Sequence, residues 1–432
     1  MQRLTREIKD LFNNRTKYKT PLKFTGSTLF AAAINFVLGF VTFRYIAPDH
    51  LGIWGTFSTF TVYATFLRLG IPNGMNRELP YYYGKGDRET ALKCASTTLS
   101  YSLFTTFIAL LGTIVFYFCF DFSKYDSLSS DYFHTSVVFW ITVLIEPYTT
   151  YLSGTYRTSD NFDKLSNLQI IKAIIQAATI VLLIVWGFNG YLIRHLIIAL
   201  VDPIYLHVFR PIKKIVIAFD WSIFKNLFII GFQLFIVSYI SSFVDTLPRL
   251  YIIKTGSSEM VGLFSPVIIL SSMIYLIPNT FSQYLYPTFS FAYGKGNSRL
   301  YFWKKMRLIL LLSLLIGLVA AVAAYFLVDW LLLLFPKYAA SSACIKTACW
   351  GFAFIGYKIG NMLCSIFKEW KWLYISGISY AVIQIVTIII VRLFVDEPLM
   401  VSSIAMSLTA VLMFFVAFFI AYKVTHKKLE II

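Results

Sequence analysis

Twelve runs of about 20 mostly apolar residues follow one another along this chain, and runs of that length are what a helix needs to cross a bilayer. They lie at 24–46, 52–80, 92–118, 134–157, 166–188, 190–210, 226–250, 260–292, 303–328, 340–366, 372–394 and 399–422. The sixth is the shortest, and a tight turn at Asn189-Gly190 sets it off from the fifth. Only 14% of the 432 residues are charged and 58% are hydrophobic, against about 25% charged in a soluble globular domain. The reading is an all-α integral membrane protein.

Basic residues fix its orientation. They gather in alternate loops: Lys85, Arg88 and Lys93; Arg157 and Lys164; Arg210, Lys213 and Lys214; Lys295, Arg299, Lys304, Lys305 and Arg307; Lys368 and Lys371; Lys423, Lys427 and Lys428. The loops between hold Asp49, Asp121, Asp126, Asp131, Asp329, Asp396 and Glu397. The positive-inside rule makes the first set cytoplasmic and puts both termini in the cytoplasm. Much of the +17 formal charge is therefore topological, and it calls for no nucleic-acid partner. Residues 1–22 are basic, with Leu4, Ile8, Leu11 and Phe12 at helical spacing. They read as an amphipathic segment on the membrane surface, without the small-residue cleavage site of a secretory signal.

The stretch 69-LGIPNGMNRELPYYYGKGD-87 ends an apolar run in Asn76, Arg77 and Glu78, and 293-YGKGNSR-299 echoes its end. Gly84-Lys85-Gly86 and Gly294-Lys295-Gly296 are 210 residues apart, as are 51-LGI-53 and 261-VGL-263, Asn35 and Asp245, and Arg44 and Lys254. Four matches at one offset predict a parallel repeat of six spans. The expected organisation is a cytoplasmic segment 1–22, an N-lobe 23–210, a linker 211–225, a C-lobe 226–422 and a cytoplasmic tail 423–432. Transporters built from such repeats place the substrate between them.

Charges inside the spans carry the functional reading, because each costs about 2.5–3.5 kcal/mol to insert. Ser58, Thr61, Thr65, Arg68, Pro72 and Asn76 share a helical face, as do Gln169, Lys172, Gln176 and Thr179, and Ser238, Ser242, Asp245 and Arg249. Thr28, Ala31, Asn35, Gly39 and Thr42 form a milder stripe. Such stripes line a water-filled cavity or hydrogen-bond neighbouring helices at close approach. Asp245 and Arg249 also have the spacing to neutralise each other. Glu146-Pro147 and Asp202-Pro203 put carboxylates beside helix-bending prolines. Lys346 and Lys358, twelve residues apart, sit roughly 120° apart around one helix and need not face one cavity. Arg44 lies near the outer end of its span and is expected to snorkel.

Embedded cations outnumber embedded anions, which suits an anionic cargo bearing phosphate. The candidate substrate-binding residues are Arg68, Arg249, Lys172, Lys346 and Lys358; the candidate coupling residues are Asp245, Glu146 and Asp202; the candidate gate is Arg77, Glu78 and Asn76. No phosphate loop, HExxH or GxSxG elbow occurs. The five cysteines form no CxxC pair, so neither a metal site nor catalysis is expected. No cofactor is expected either.

The run 44-RYIAPDHLGIWGTFSTFTVYATFLRLGIPNGMNRELPYYYGKGD-87 resembles the lipid-linked oligosaccharide flippases of bacterial polysaccharide synthesis. These are the Wzx-type polysaccharide transporters of the multidrug/oligosaccharidyl-lipid/polysaccharide exporter superfamily. The likeness rests on the Gly-aromatic start of the second span and on LGI, NREL and GKG at its end, and is strongest over residues 22–95. It implies a V-shaped alternating-access transporter in the bacterial inner membrane. The cargo would be an undecaprenyl-pyrophosphate-linked oligosaccharide for O-antigen or capsule, handed on within a complex with a polysaccharide polymerase. Arg68, Arg249 and Lys172 would meet the head group, Asp245 and Glu146 would couple to a proton or sodium gradient, and Arg77 and Glu78 would close an inner gate beside a bend at Pro72. Drug exporters of the same fold often carry an acid in the first span, and none lies between Lys23 and Ile46. A drug exporter and a membrane polymerase are the alternatives.

Overall fold

In hydrocarbon no water is present to bond the backbone, so an apolar run must close its hydrogen bonds within itself as a helix. The computed structural model describes residues 15–159, 161–212, 216–294 and 297–427. Among them there is no strand, and the helices fall into twelve successive stretches, one for each apolar run. Residues 1–14, the linker residues 213–215, Lys295 and Gly296 of the second GKG turn, and tail residues 428–432 lie outside the described residues.

In chain order the helices are α1 (Arg15–Tyr45), α2 (Pro48–Ala64), α3 (Ile71–Gly84), α4 (Arg88–Cys119), α5 (Ser129–Thr158), α6 (Phe162–Ala178), α7 (Ile180–Val208) and α8 (Trp221–Thr255). Then come α9 (Ser258–Leu263), α10 (Ser265–Gly294), α11 (Arg299–Leu332), α12 (Ser342–Phe352), α13 (Tyr357–Gly360), α14 (Met362–Ile366), α15 (Trp370–Arg392) and α16 (Pro398–His426). Among the described residues, seven helices are long and apolar enough to cross a membrane unaided, and bent α8 makes eight. The other stretches include the broken and charge-bearing ones.

The 210-residue repeat extends to the ends of these elements. Tyr45 and Thr255 close α1 and α8, Pro48 and Ser258 open α2 and α9, and Gly84 and Gly294 close α3 and α10. Pro398 opens α16, and its counterpart Phe188 follows Gly187, which carries φ of +56° and breaks the helical path inside α7. The turn expected at Asn189-Gly190 is therefore made at Gly187. Gly190 serves close packing instead. A Cβ there would lie 1.9 Å from the Leu182 carbonyl oxygen, so the chain can fold back only because that position is bare.

By contact the chain forms two compact units, Met1–Tyr45 with Ala64–Ile236 and Ile46–Tyr63 with Val237–Ile432. Each draws a segment from both sequence halves, so unit and repeat are not the same set of residues. The first unit centres on Met75, Leu79, Ala95, Tyr151, Tyr156 and Leu165. The second centres on Phe302, Met306, Leu310, Phe414, Ala417 and Ala421. Outward side chains such as Phe118, Val319, Phe326, Leu393 and Phe394 are exposed, as expected where lipid rather than water is the neighbour.

Small residues set the closest approaches. In the second unit a Cβ on Gly52 would lie 1.6 Å from the Ser258 carbonyl oxygen, and one on Gly262 would lie 1.6 Å from that of Pro48. The contact is reciprocal between positions 210 residues apart. The segment Pro336–Ser341 ties it down: Tyr338 donates to the Ile46 carbonyl at 3.1 Å and Ser341 to that of Leu263 at 2.7 Å.

Candidate functional sites on interrupted helices

The second apolar run breaks in the middle. After α2 a 3₁₀ turn covers Thr65–Arg68, then Leu69 and Gly70 both take positive φ, at 46° and 78°. Pro72, expected to bend the helix, instead stands in the first turn of α3. A proline there forgoes only a hydrogen bond that the helix start lacks anyway. The break frees the Leu67 carbonyl, which accepts from the Tyr101 hydroxyl at 2.8 Å. Beyond it, a Cβ on Gly70 would come 2.5 Å from the Gly231 oxygen, and one on Gly74 would come 2.3 Å from that of Leu227. The spacing Gly70-xxx-Gly74 thus lets α3 lie against α8 backbone to backbone.

Arg68 sits on this break. Its Nε donates to Glu146 Oε2 at 2.8 Å, and its Nη2 pairs with Oε1 of the same carboxylate. Thr150, one turn further along α5, donates to Glu146 Oε1 at 2.5 Å. Elsewhere in the same unit, Lys172 of α6 pairs with Asp202 of α7 at 2.7 Å. Helical spacing singles out Arg68 and Lys172, and the adjacent prolines single out Glu146 and Asp202, without pairing them. It passes over Arg194, which is buried and donates from Nε to the Gln176 carbonyl at 3.3 Å. A cation inside the sixth run is the signal that could have found it.

In the middle of α3, and not at the helix end where the sequence places them, Arg77 is exposed and Glu78 largely buried, with Nε and Oε1 4.0 Å apart. Asn76 faces α5: its Oδ1 is buried, and a Cβ on Gly154 would lie 2.9 Å from it. The three gate candidates are therefore consecutive residues in the middle of α3 that do not form one cluster.

The second unit has its own break. Between α12 and α15 the helix loosens into turns at Ala353–Gly356 and Asn361, with α13 and α14 as short pieces. Ser376 donates to Asn361 Oδ1 at 2.9 Å across the gap. Lys358 stands on α13, and its Nζ lies 3.1 and 3.3 Å from the two carboxylate oxygens of Asp245 on α8. Tyr380 of α15 donates to Asp245 Oδ1 at 2.6 Å. The ring of Tyr275 lies under the same ammonium, 4.2 Å from its centroid to Nζ.

Lys346 is elsewhere, paired with Asp329 at 2.5 Å and standing over the Tyr325 ring. The two lysines of the tenth run thus face separate surroundings, and they stand on different helical pieces rather than on one helix. Asp245 takes Lys358 and Tyr380, while Arg249 places Nη1 3.5 Å from the Ser58 hydroxyl. Arg68, Lys172, Lys346 and Lys358 are each matched with a carboxylate. The surplus of embedded positive charge counted along the sequence is largely balanced within each unit. Arg44 is exposed at the end of α1, and no cluster of metal-ligating side chains occurs among the described residues.

No family model matches this sequence, and no curated protein is significantly similar to it. Solved structures are similar in fold. An inward-facing multidrug resistance MATE family transporter of the MOP superfamily superposes with a TM-score of 0.71 at 14% identity, over 91% of this chain and 94% of that one. A MATE protein in complex with MaL6 gives 0.64 at 12% identity, over 94% and 95%. A MOP superfamily transporter from Pyrococcus furiosus, described as having a binding pocket of reversed polarity, gives 0.60 at 13% identity, over 95% and 97%. The fold is that of the MATE transporters: an all-helical, multi-pass membrane architecture.

Proposed function

We propose that this protein is a transporter that flips an undecaprenyl-pyrophosphate-linked oligosaccharide across the bacterial cytoplasmic membrane. The observation that carries the reading is the pairing of a cation with a carboxylate on each interrupted helix, Arg68 with Glu146 and Lys358 with Asp245. Broken helices at membrane depth are where transporters of many folds place substrate and coupling ions. The Arg68 guanidinium is already engaged through two nitrogens by a planar carboxylate, and the same fork matches a phosphate. A pyrophosphate head group would exchange with Glu146, and the freed carboxylate would be able to take a proton. The run from Arg44 to Asp87, with its likeness to oligosaccharide flippases, supports this cargo over others. In this reading the termini face the cytoplasm and a polysaccharide polymerase receives the product.

Loss of the protein is expected to trap single lipid-linked repeat units on the cytoplasmic leaflet, measured by leaflet-selective labelling. An unchanged distribution overturns the cargo. A second reading, export of small organic cations, is favoured by the half-exposed Asp245 and by the likeness in fold to a multidrug transporter. It predicts raised drug susceptibility with no glycan change.

A further inference from the structure

Lys358 and its surroundings in the second unit make a receptor whose ligand is part of the chain. Asp245 presents both carboxylate oxygens to the ammonium at 3.1 and 3.3 Å and is itself oriented by the Tyr380 hydroxyl at 2.6 Å. Tyr275 offers its ring face at 4.2 Å and Tyr357 a more distant one at 5.9 Å. One carboxylate with aromatic faces is the arrangement that recognises ammonium ligands. An inorganic cation would instead call for a shell of oxygens. Asp245, Lys358, Tyr357 and Tyr380 line an open recess, to which Ser271 and Thr409 also contribute. Asp245 keeps 47% of its side-chain surface accessible, against 19% for Lys358. The carboxylate is therefore reachable from the recess while the lysine fills its inner side.

The placement of Lys358 matters as much as its contacts. It stands on the four-residue α13, between the turns at Ala353–Gly356 and Asn361, and not on a continuous helix. A flexible four-carbon stem on a loosened backbone can leave the carboxylate without melting a helix.

We propose that the Asp245–Tyr275–Tyr380 group is a seat for a monovalent ammonium-type cation, and that Lys358 occupies it as a tethered ligand. A free ammonium compound then binds only when the lysine has left, so the lysine acts as a built-in competitor. The inference concerns this recess alone and does not depend on the identity of the transported cargo.

The test is chemical refilling. The purified full chain in lipid nanodiscs is compared as wild type, Lys358→Ala and Lys358→Ala/Asp245→Asn, by thermal unfolding in ethylammonium chloride or sodium chloride at equal ionic strength. Ethylammonium is expected to raise the unfolding temperature of Lys358→Ala saturably, by a few degrees. It should leave the wild type and the double variant unmoved. A response of the wild type at the same concentrations overturns the competitor role. A response to sodium alone overturns the ammonium seat, and so does no response to either salt in folded Lys358→Ala. Should that variant fail to fold, Lys358→Met keeps the stem and omits the charge, with methylammonium as the probe and the same outcomes.

Discussion

The two halves of the sequence, matched at an offset of 210 residues, agree in where many helices begin and end but place their charges differently. Shifted by 210 residues, the break at Thr65–Gly70 falls within α10, a continuous helix, and the break at Ala353–Asn361 falls within continuous α5. Glu146 and Lys172 map onto Gly356 and Val382, while Asp245 maps back onto Asn35. Element ends kept to this offset because they are set by membrane thickness and loop chemistry. Charged pairs did not, because each needs a matching partner on another helix and is lost or gained as a unit. The first unit pairs Arg68 with Glu146 and Lys172 with Asp202; the second pairs Lys346 with Asp329 and Lys358 with Asp245, the last backed by tyrosines.

Breaking the first unit's pair should have the largest effect. Glu146→Leu leaves Arg68 without its counter-charge in an apolar setting, at a cost of about 3–5 kcal/mol. Arg68→Leu/Glu146→Leu should recover most of that in denaturant titration. A double variant as unstable as the single one would mean that the pair, not merely its neutrality, holds the break together. Next comes the reciprocal glycine contact. Gly262→Ala drives a methyl into the Pro48 carbonyl and should cost about 1–3 kcal/mol. Gly84→Ala, with nothing within 4 Å, serves as the neutral control for the same melting experiment.

The smallest effect concerns Glu369, outside the spans. Burial opposes its ionisation, but hydrogen bonds from Lys427 at 3.0 Å and Arg299 at 3.1 Å prevail and hold its carboxyl below the usual value. A depressed native value means stability present at neutral pH and lost as pH falls through the native titration. Unfolding temperature measured downward from pH 7 should therefore decline less steeply in Glu369→Gln than in the wild type.

Much of this architecture was legible in the sequence because periodicity and run length act locally. Twelve apolar runs became twelve helical stretches, and matches such as Gly84 with Gly294 gave the repeat. What sequence could not supply was partnership. Asp245 had Arg249 one turn away, yet its carboxylate meets Lys358, 113 residues on. Helical spacing gives the face of a side chain but not which helix lies opposite. The break at Thr65 was missed for a related reason: Pro72 was the visible breaker, whereas the turn is made by Leu69 and Gly70 in left-handed conformations, with Gly70 packed against Gly231. The Gly70-xxx-Gly74 spacing was there to be read, and only its partner was hidden.

The mutual fit of Gly52 over Ser258 and Gly262 over Pro48 bears on ancestry. A contact in which one position meets its partner's equivalent, and is met by it in turn, is the contact a two-fold symmetric dimer makes. In a half-length forebear, one glycine codon would have built both sides of it. Fusion of two such copies would make that residue two, each held by the other side's carbonyl. Where the charged pairs differ between the halves, this contact is the same from both sides.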